Sequence, residues 1–435
     1  MYSTPSLLLQ FVGSQPMHRM KKKWTCSLVF FWMLVSCPGQ GLIKSGAVLA
    51  SARQDLVLDL HQQQMEYIRQ TNLNLPFVNQ ISLRTETDRF DISRQEYVAR
   101  VSVNGFSEMH QQRLLQDADL SAKEGMRRVY WHEALVERYQ AIASYRHIQR
   151  QLNIQLGFRQ VYTDKVAVLK KMAALNAEAD VDELIKTEFD LDNLDLKIAE
   201  SEDLLEQLRH SIQTMMTIDS NTWQLDTSDF ITPTEIEVVV AEMPESVLQN
   251  PQVVEKQVKI DQIGAAYNYE KAQSNQIFDF FQVRYANLPF APIERELSVG
   301  LAINLPFKGA SRVNMSELAI DKNAASQNMQ LYLSELNRQV ASSKLQVEAL
   351  GKRFRLANQQ WQDSQTRFTL EHPENMQAEG PMTLLNAREL QLKRQMNLLD
   401  IERDIMDQYL KILDWTGQLS EDPSVNYLSS ELSTY

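Results

Sequence analysis

The chain has 435 residues and a formal net charge of −12, because 56 Asp and Glu residues outnumber 44 Lys and Arg residues. This acidic balance argues against nucleic-acid binding, since phosphates are recognised by Lys and Arg. The 13 glycines are about half the usual share, so we expect a few very long helices rather than several ordinary domains.

Residues 1–37 are predicted to be a secretory leader. Three lysines at 21–23 precede an apolar run at 26–35, which has the basic head and hydrophobic core of a signal segment and is too short to span a membrane. Leu34-Val35-Ser36-Cys37 resembles a bacterial lipobox, so Cys37 is the candidate lipid-attachment residue. The alternative is an apolar segment that happens to contain cysteine. Both cysteines lie in this leader, so we expect no structural disulfide and no thiolate metal site in the mature chain.

Two segments alternate apolar with small or polar residues, which is the signal of a β-strand. Their apolar positions are Tyr97, Ala99, Val101 and Val103 in the first segment, and Leu297, Val299, Leu301 and Ile303 in the second. A partner strand is predicted upstream of each, at residues 79–89 and 278–285.

The first strand is followed by a stretch that predicts one very long helix. Residues 107–171 contain no proline and only Gly125 and Gly157, and at ~1.5 Å per residue they would form a helix of roughly 95 Å. Three later stretches carry apolar residues at alternating steps of three and four, which indicates heptad seams. They run from Leu184 to Met215, from Leu350 to Phe368 and from Leu392 to Leu413, with Arg403 interrupting the last.

The two strand signals lie 200 residues apart, and each leads into a long helix, a break and a second heptad helix. The chain is therefore predicted to be mostly α with a small β part, built as a tandem strand–strand–long helix–helix repeat. The predicted halves are residues 45–218 and 253–417, joined by a linker at 219–252. Residues 418–435 are predicted to be a polar, loosely held tail.

The recognisable phosphate, zinc-protease and redox motifs do not occur, so we expect no enzyme activity, no cofactor and no metal. His132 and Glu133 lack a second His four residues on, and a polar pair on a helix face is favoured over a metal site. An acidic stretch at residues 178–195 lacks the glycine of a calcium loop, which favours a solvated helix face.

Four short motifs resemble the TolC-like family of outer-membrane efflux proteins, over roughly residues 45–417. The most specific is the strand and turn at residues 296–309, Glu-Leu-Ser-Val-Gly-Leu-Ala-Ile-Asn-Leu-Pro-Phe-Lys-Gly, followed by Arg312. The others are Val247-Leu-Gln-Asn-Pro251, Leu384-Leu-Asn-Ala387 and Leu413-Asp-Trp-Thr-Gly417.

The resemblance implies an outer-membrane homotrimer that extends into the periplasm. Each chain would contribute four strands to a shared twelve-stranded β-barrel and its helices to a hollow α-helical cylinder, with the linker as an equatorial region. Val101, Val103, Leu301 and Ile303 would face lipid, and the polar residues between them would face the pore. The implied function is a passive exit duct for substrates delivered by an inner-membrane pump and a periplasmic adaptor.

In the resembled family, rings of aspartates narrow the inner end of the tunnel. Matching Leu384-Leu-Asn-Ala387 to the family pattern puts Thr383 and Asn386 at those positions, so the usual carboxylate ring is absent. Asp180 and Asp182, on the predicted turn at residues 172–182, are candidates for a substitute ring, or for surface acids that meet an adaptor. The predicted turn between the last two helices is at residues 369–381.

The alternative function is a periplasmic coiled-coil adaptor or scaffold lipoprotein, which would also combine heptad helices with a secretion leader. Such adaptors usually carry a glycine-rich β-domain between their coiled-coil arms. This chain has a glycine-poor duplicated pattern instead, which favours the channel.

Overall fold

The computed structural model describes residues 41–71, 75–87, 95–174, 181–217, 223–244, 246–286, 297–303, 309–364, 380–421 and 424–435. The predicted leader with Cys37, the candidate Asp180 and most of the predicted turn at 369–381 lie outside these residues. Helices make up most of the described chain, as predicted.

The order strand–strand–long helix–helix occurs twice. The N-terminal segment has β1 (Gly41–Lys44), α1 (Ser45–Ala50), a 3-10 turn (Ser51–Gln54) and α2 (Leu56–Gln70). The first repeat has β2 (Val78–Thr87), β3 (Gln95–Val103), α3 (Phe106–Ala174) and α4 (Val181–Met216). The linker has β4 (Trp223–Asp226) and α5 (Pro233–Glu242), followed by α6 (Pro251–Ser274). The second repeat has β5 (Phe278–Ala286), β6 (Leu297–Ile303), α7 (Gly309–Gln362) and α8 (Pro381–Thr416), before a 3-10 turn (Gln418–Ser420).

The long helix predicted after the first strand is confirmed. α3 has 69 residues, which at ~1.5 Å per residue gives a length of about 104 Å. Its second glycine marks a close approach between helices, because a Cβ on Gly157 would lie 3.1 Å from Cδ2 of Leu392 on α8. The missing side chain therefore lets α8 pack tightly against α3.

Four strands form one antiparallel sheet in the order β2-β3-β5-β6. The predicted pairings of β2 with β3 and of β5 with β6 are confirmed. The central pairing joins the two repeats, with Tyr97 opposite Tyr285 and Val101 opposite Phe281. Among the described residues, the outer edges of β2 and β6 pair with no other strand.

The long helices lie side by side as an open row. α3 packs against α4 on one side and α8 on the other, and α7 packs against α8. Nearer the sheet, α6 lies between α3 and α7. α4 and α7 are therefore the two edge helices of the row.

The predicted heptad seams face neighbouring helices. On α4, Leu194, Ile198 and Ile212 are buried, while Leu205 packs against the central core. On α8, Arg403 is exposed, in keeping with its place as the interruption of the seam.

The prediction of a loosely held tail is wrong. Leu428 is completely buried, Tyr139 Oη donates to the Val425 carbonyl at 2.8 Å, and Asn426 Nδ2 donates to Ser45 Oγ at 2.8 Å. The tail fills the central core where α1, α3, β4, α5 and α8 meet. Val425, Leu428, Leu432 and Tyr435 follow steps of three and four, a helical spacing, yet the tail forms bridges and turns instead, so its local pattern did not reveal this packing.

We expect Leu428→Ala to lower the free energy of unfolding by about 2–5 kcal/mol, because it leaves a cavity in the central core. The matched control is Leu432→Ala in the same tail, at a side chain that is 37% exposed; it should cost about 0.5 kcal/mol or less. Chemical denaturation of the purified full chain measures both. If both substitutions lower the free energy of unfolding equally, the packing of the tail around Leu428 is contradicted.

Candidate functional site

The four-stranded sheet has one continuous apolar face. Residues directly opposite one another across its strands form rows, of which Ile81, Val101, Phe281 and Leu301 make one. Neighbouring rows of that face contain Leu83, Tyr97, Ala99, Val283, Tyr285, Leu297 and Val299. Several of these side chains are more than half exposed, Leu83 at 81% and Leu301 at 59% among them. A soluble monomer rarely exposes an apolar surface of this extent.

The opposite face of the same sheet is mainly polar. Arg100 lies over the ring of Phe280, with Cζ 3.8 Å from the ring centroid, and donates to Gln282 Oε1 at 3.4 Å. Arg284 Nε donates to Glu96 Oε2 across the β3–β5 pair at 2.9 Å. One face of the sheet is therefore apolar and the other mainly polar.

Two of the four predicted lipid-facing residues share one row of the sheet. Val101 and Leu301 both lie opposite Phe281, and Ile303 lies opposite Phe278. Val103 lies opposite Val78, beside a bulge in the β2–β3 pair.

The predicted constriction residues lie near the helix ends farthest from the sheet. Asp182 is exposed in the first turn of α4, and Asn386 is exposed near the start of α8, while Thr383 is partly buried there. α3 packs against both α4 and α8 and so lies beside both groups. Asp180 lies outside the described residues.

A buried ion pair near the same end was missed by the sequence analysis. Lys165 on α3 has a side chain only 8% exposed and pairs with Glu389 on α8. Tyr162 Oη also donates to Glu389, at 3.3 Å. Burial alone would raise the pKa of Glu389, but hydrogen bonds from Lys165 and Lys393 outweigh it and hold that pKa below its usual value. Lys165 lies at helical spacing from the buried residues Phe158, Val161 and Leu169. This spacing was the sequence signal that could have predicted its burial.

His132 differs from the predicted polar pair on a helix face, because its side chain is buried. Glu133 is exposed as expected for a helix face, but His132 is only 2% exposed. Its Nε2 lies 2.7 Å from Asp414 Oδ1 and its Nδ1 lies 3.3 Å from Ser420 Oγ. The Ser420 hydroxyl also donates to the Gly417 carbonyl at 3.1 Å, so the group clamps the end of α8 against α3.

Asn250 completes this clamp from the linker. Its Nδ2 donates to the carbonyls of Asp414 at 3.0 Å and Trp415 at 3.1 Å, and its Oδ1 accepts from Gln252 N at the start of α6. One side chain thus provides hydrogen-bond partners for backbone carbonyls at the end of α8 and for a backbone N–H at the start of α6.

In the described part of the chain, no helix combines the length and apolar character needed to cross a bilayer. The same residues contain no group of three or more His, Cys, Asp and Glu side chains placed to hold a metal ion.

Several solved structures share this fold. The outer-membrane channel OprN has 14% sequence identity and a TM-score of 0.64, covering 86% of this chain and 89% of that one. CusC has 13% identity and a TM-score of 0.63, covering 86% and 92%. The outer-membrane protein VceC of Vibrio cholerae has 13% identity and a TM-score of 0.58, covering 86% and 96%.

No protein-family profile matches the sequence, and comparison with curated proteins finds no significant similarity. The chain has the fold of TolC-like outer-membrane factor channels, as its motifs predicted.

We expect Glu389→Gln to lower the melting temperature at about pH 7, because it leaves the buried Lys165 charge uncompensated. The Glu389 pKa is lowered by folding, so the ion pair stabilises the wild type above the unfolded pKa of about 4.3. That stabilisation is lost as the pH falls through the folded pKa. The melting difference between wild type and Glu389→Gln should therefore narrow on acidification.

The control is Glu188→Gln, which removes an exposed pair with Lys170 whose side chains are 43% and 60% exposed. Such a pair contributes about 1 kcal/mol or less, so this variant should melt close to the wild type at every pH. If the melting temperature of Glu389→Gln stays below that of the wild type by the same amount down to about pH 3, the stabilising role assigned to the Lys165–Glu389 ion pair is contradicted.

Proposed function

We propose that the chain is an outer-membrane channel that serves as a passive exit duct in a tripartite efflux or type I secretion system. The observation that carries this proposal is the sheet with one apolar and one polar face, continuous with the helix α3, which is about 104 Å long. In a membrane, the apolar face meets lipid and the polar face lines the pore. The helices then carry the pore into the periplasm.

The sheet supports a homotrimer because it is open at both sides. Unpaired strand edges are not tolerated in hydrocarbon, since each unsatisfied backbone group costs several kcal/mol. Edge β6 of one copy pairs with edge β2 of the next in the proposed assembly. Three copies with four strands each make the predicted twelve-stranded barrel.

The edge helices support the same closure. The exposed apolar residues Val313, Ile320, Leu331, Leu345 and Leu356 lie on α7. At about 100° per residue they form one stripe along that helix. α4 exposes a second apolar face, made of Val181, Ile185, Phe189 and Leu196. We propose that α7 of one copy packs against the α4 side of the next, a head-to-tail contact that closes a ring.

The proposed partners lie at the two ends of the duct. At the inner end, the region around Asp182 meets a periplasmic adaptor and an inner-membrane pump. At the membrane end, Cys37 carries a lipid that adds about 0.8 kcal/mol of membrane affinity per buried CH₂. Mass spectrometry of the mature N-terminus tests that lipid, and an unmodified start elsewhere rules it out.

Leu301→Arg is expected to impair insertion and trimer formation, since a charge on the lipid face costs about 2–4 kcal/mol near the bilayer centre. The control is Ser298→Arg in the same strand, which puts the same charge on the pore face. Analytical ultracentrifugation of detergent-extracted protein reports the trimer. A wild-type chain released as a soluble monomer by osmotic shock would sink the proposal, and equal effects of the two variants would contradict the assigned faces.

Because Thr383 and Asn386 replace the usual carboxylates, we expect weak block by trivalent cations in planar-bilayer conductance. Asp180→Asn combined with Asp182→Asn should remove the block that remains. Strong block that survives the double substitution would show that the assigned constriction is wrong.

A further inference from the structure

A cavity of about 350 Å³ lies where the sheet meets the helices. Its walls come from the start of α3, the end of α6 and strands β3, β5 and β6. We call it the junction cavity, and the residues of interest in its wall are Phe77, Phe106, Glu108, Phe278, Phe281 and Leu301.

Glu108 is the anomalous residue of this wall. It is only 5% exposed, and among the described residues its Oε2 has no hydrogen-bond partner and no cation pairs with it. A buried carboxylate is costly unless a donor or a cation compensates it. Glu108 lies in the first turn of α3, where the positive end of the helix dipole favours the anion. The cavity wall therefore contains a buried carboxyl group that lacks a partner among the described residues.

Phenylalanine rings line the same cavity as Glu108 and remain open to solvent. Phe106 is 78% exposed, Phe278 55%, Phe77 50% and Phe281 45%. Phe77 and Phe106 stack with their ring centroids 5.5 Å apart. The face of an aromatic ring attracts cations, most strongly ammonium groups that have lost part of their water. Carboxylate and rings together select an organic cation rather than an anion or a neutral molecule.

Hydrogen bonds hold the floor of the cavity in place. Asn104 Nδ2 donates to the Pro76 carbonyl at 2.7 Å, and Gln276 Nε2 donates to the Val103 carbonyl at 2.6 Å. These bonds tie the chain before β2 and the chain after α6 to the end of β3. The cavity is therefore preformed, which lowers the ordering cost of binding.

The cavity opens toward the apolar face of the sheet. Phe281 and Leu301, which lie opposite each other on that face, belong to its wall. Phe281 lies on the central strand β5, so joining copies at the outer edges of β2 and β6 adds no strand over it. An alkyl chain lying along Phe281 and Leu301 would continue directly from a head group held near Glu108.

We propose that the junction cavity binds an amphiphile with an ammonium head group, held by Glu108 and the surrounding phenylalanine rings. Two sources supply this chemistry: an ethanolamine phospholipid of the membrane, and an alkylammonium compound on its way out of the cell. The assignment to a membrane lipid rests on the proposed membrane location of the chain. Binding of an alkylammonium group does not depend on that location.

The test uses the full-length protein in a neutral detergent and decyltrimethylammonium as the probe, with isothermal titration calorimetry as the readout. Glu108→Gln keeps the shape of the side chain and removes its charge, so we expect the dissociation constant to rise about tenfold or more. Phe106→Leu keeps an apolar side chain but removes a ring face, and a smaller loss of about two- to tenfold is expected. Decyl sulfate, with a matched chain and the opposite charge, should not compete.

The control variant is Glu133→Gln, which removes an exposed carboxylate from the same helix. It should bind the probe as the wild type does. Melting temperatures of all variants report folding, and Glu108→Gln should melt no lower than the wild type because it removes an uncompensated buried charge. Equal affinity of wild type and Glu108→Gln, or no saturable binding by the wild type, would overturn the proposal.

Native mass spectrometry of protein purified from membranes distinguishes the two sources. Retained ethanolamine phospholipid in the wild type, lost in Glu108→Gln, assigns the site to the membrane lipid. Glu108-dependent probe binding without retained lipid assigns it to exported alkylammonium compounds. Bilayer conductance separates this inference from the proposed function: a non-conducting chain with Glu108-dependent binding contradicts the channel and leaves the site standing.

Discussion

The open edges of the four-stranded sheet are the constraint on which the rest of the molecule depends. Among the described residues, β2 and β6 each have one side without a partner strand, yet the face between them is apolar enough for lipid. Lipid does not supply hydrogen bonds, so in the proposed membrane location such a sheet would require closure by further copies. The helix row ends in α4 and α7, which also expose apolar stripes. The edges of the sheet and of the helix row thus both support the proposed ring.

Long helices require fixed points, and buried polar side chains provide them. Arg138 is 1% exposed and donates to Ser51 Oγ at 3.1 Å and to the Ala134 carbonyl at 3.0 Å, which ties α3 to the N-terminal segment. His132 clamps α8, and Lys165 pairs with Glu389 farther along α3. Removing one partner of such a contact leaves the other polar group buried without a partner, where the dielectric constant is low. Each contact therefore favours one alignment of the elements that it joins.

The junction of sheet and helices combines both kinds of constraint. There the apolar face ends in open phenylalanine rings, and Glu108 lies buried in the same cavity wall with no cation paired to it in the part of the chain that the structure describes. The other buried ionic groups discussed above have their partners within the chain. Glu108 has none among the described residues, which is why we propose a ligand from outside the chain for the junction cavity.

Much of the fold was predictable because its signals are local. The alternation from Tyr97 to Val103 predicted a strand, the breaker-free stretch predicted α3, and the seam through Leu194 and Ile198 predicted a buried helix face. The sequence could not predict the pairing of β3 with β5, the burial of Leu428 or the partners of His132 and Lys165. Each of these joins residues far apart in the chain, and periodicity reports which face of an element is apolar but not what covers it. The tertiary structure alone decided those contacts.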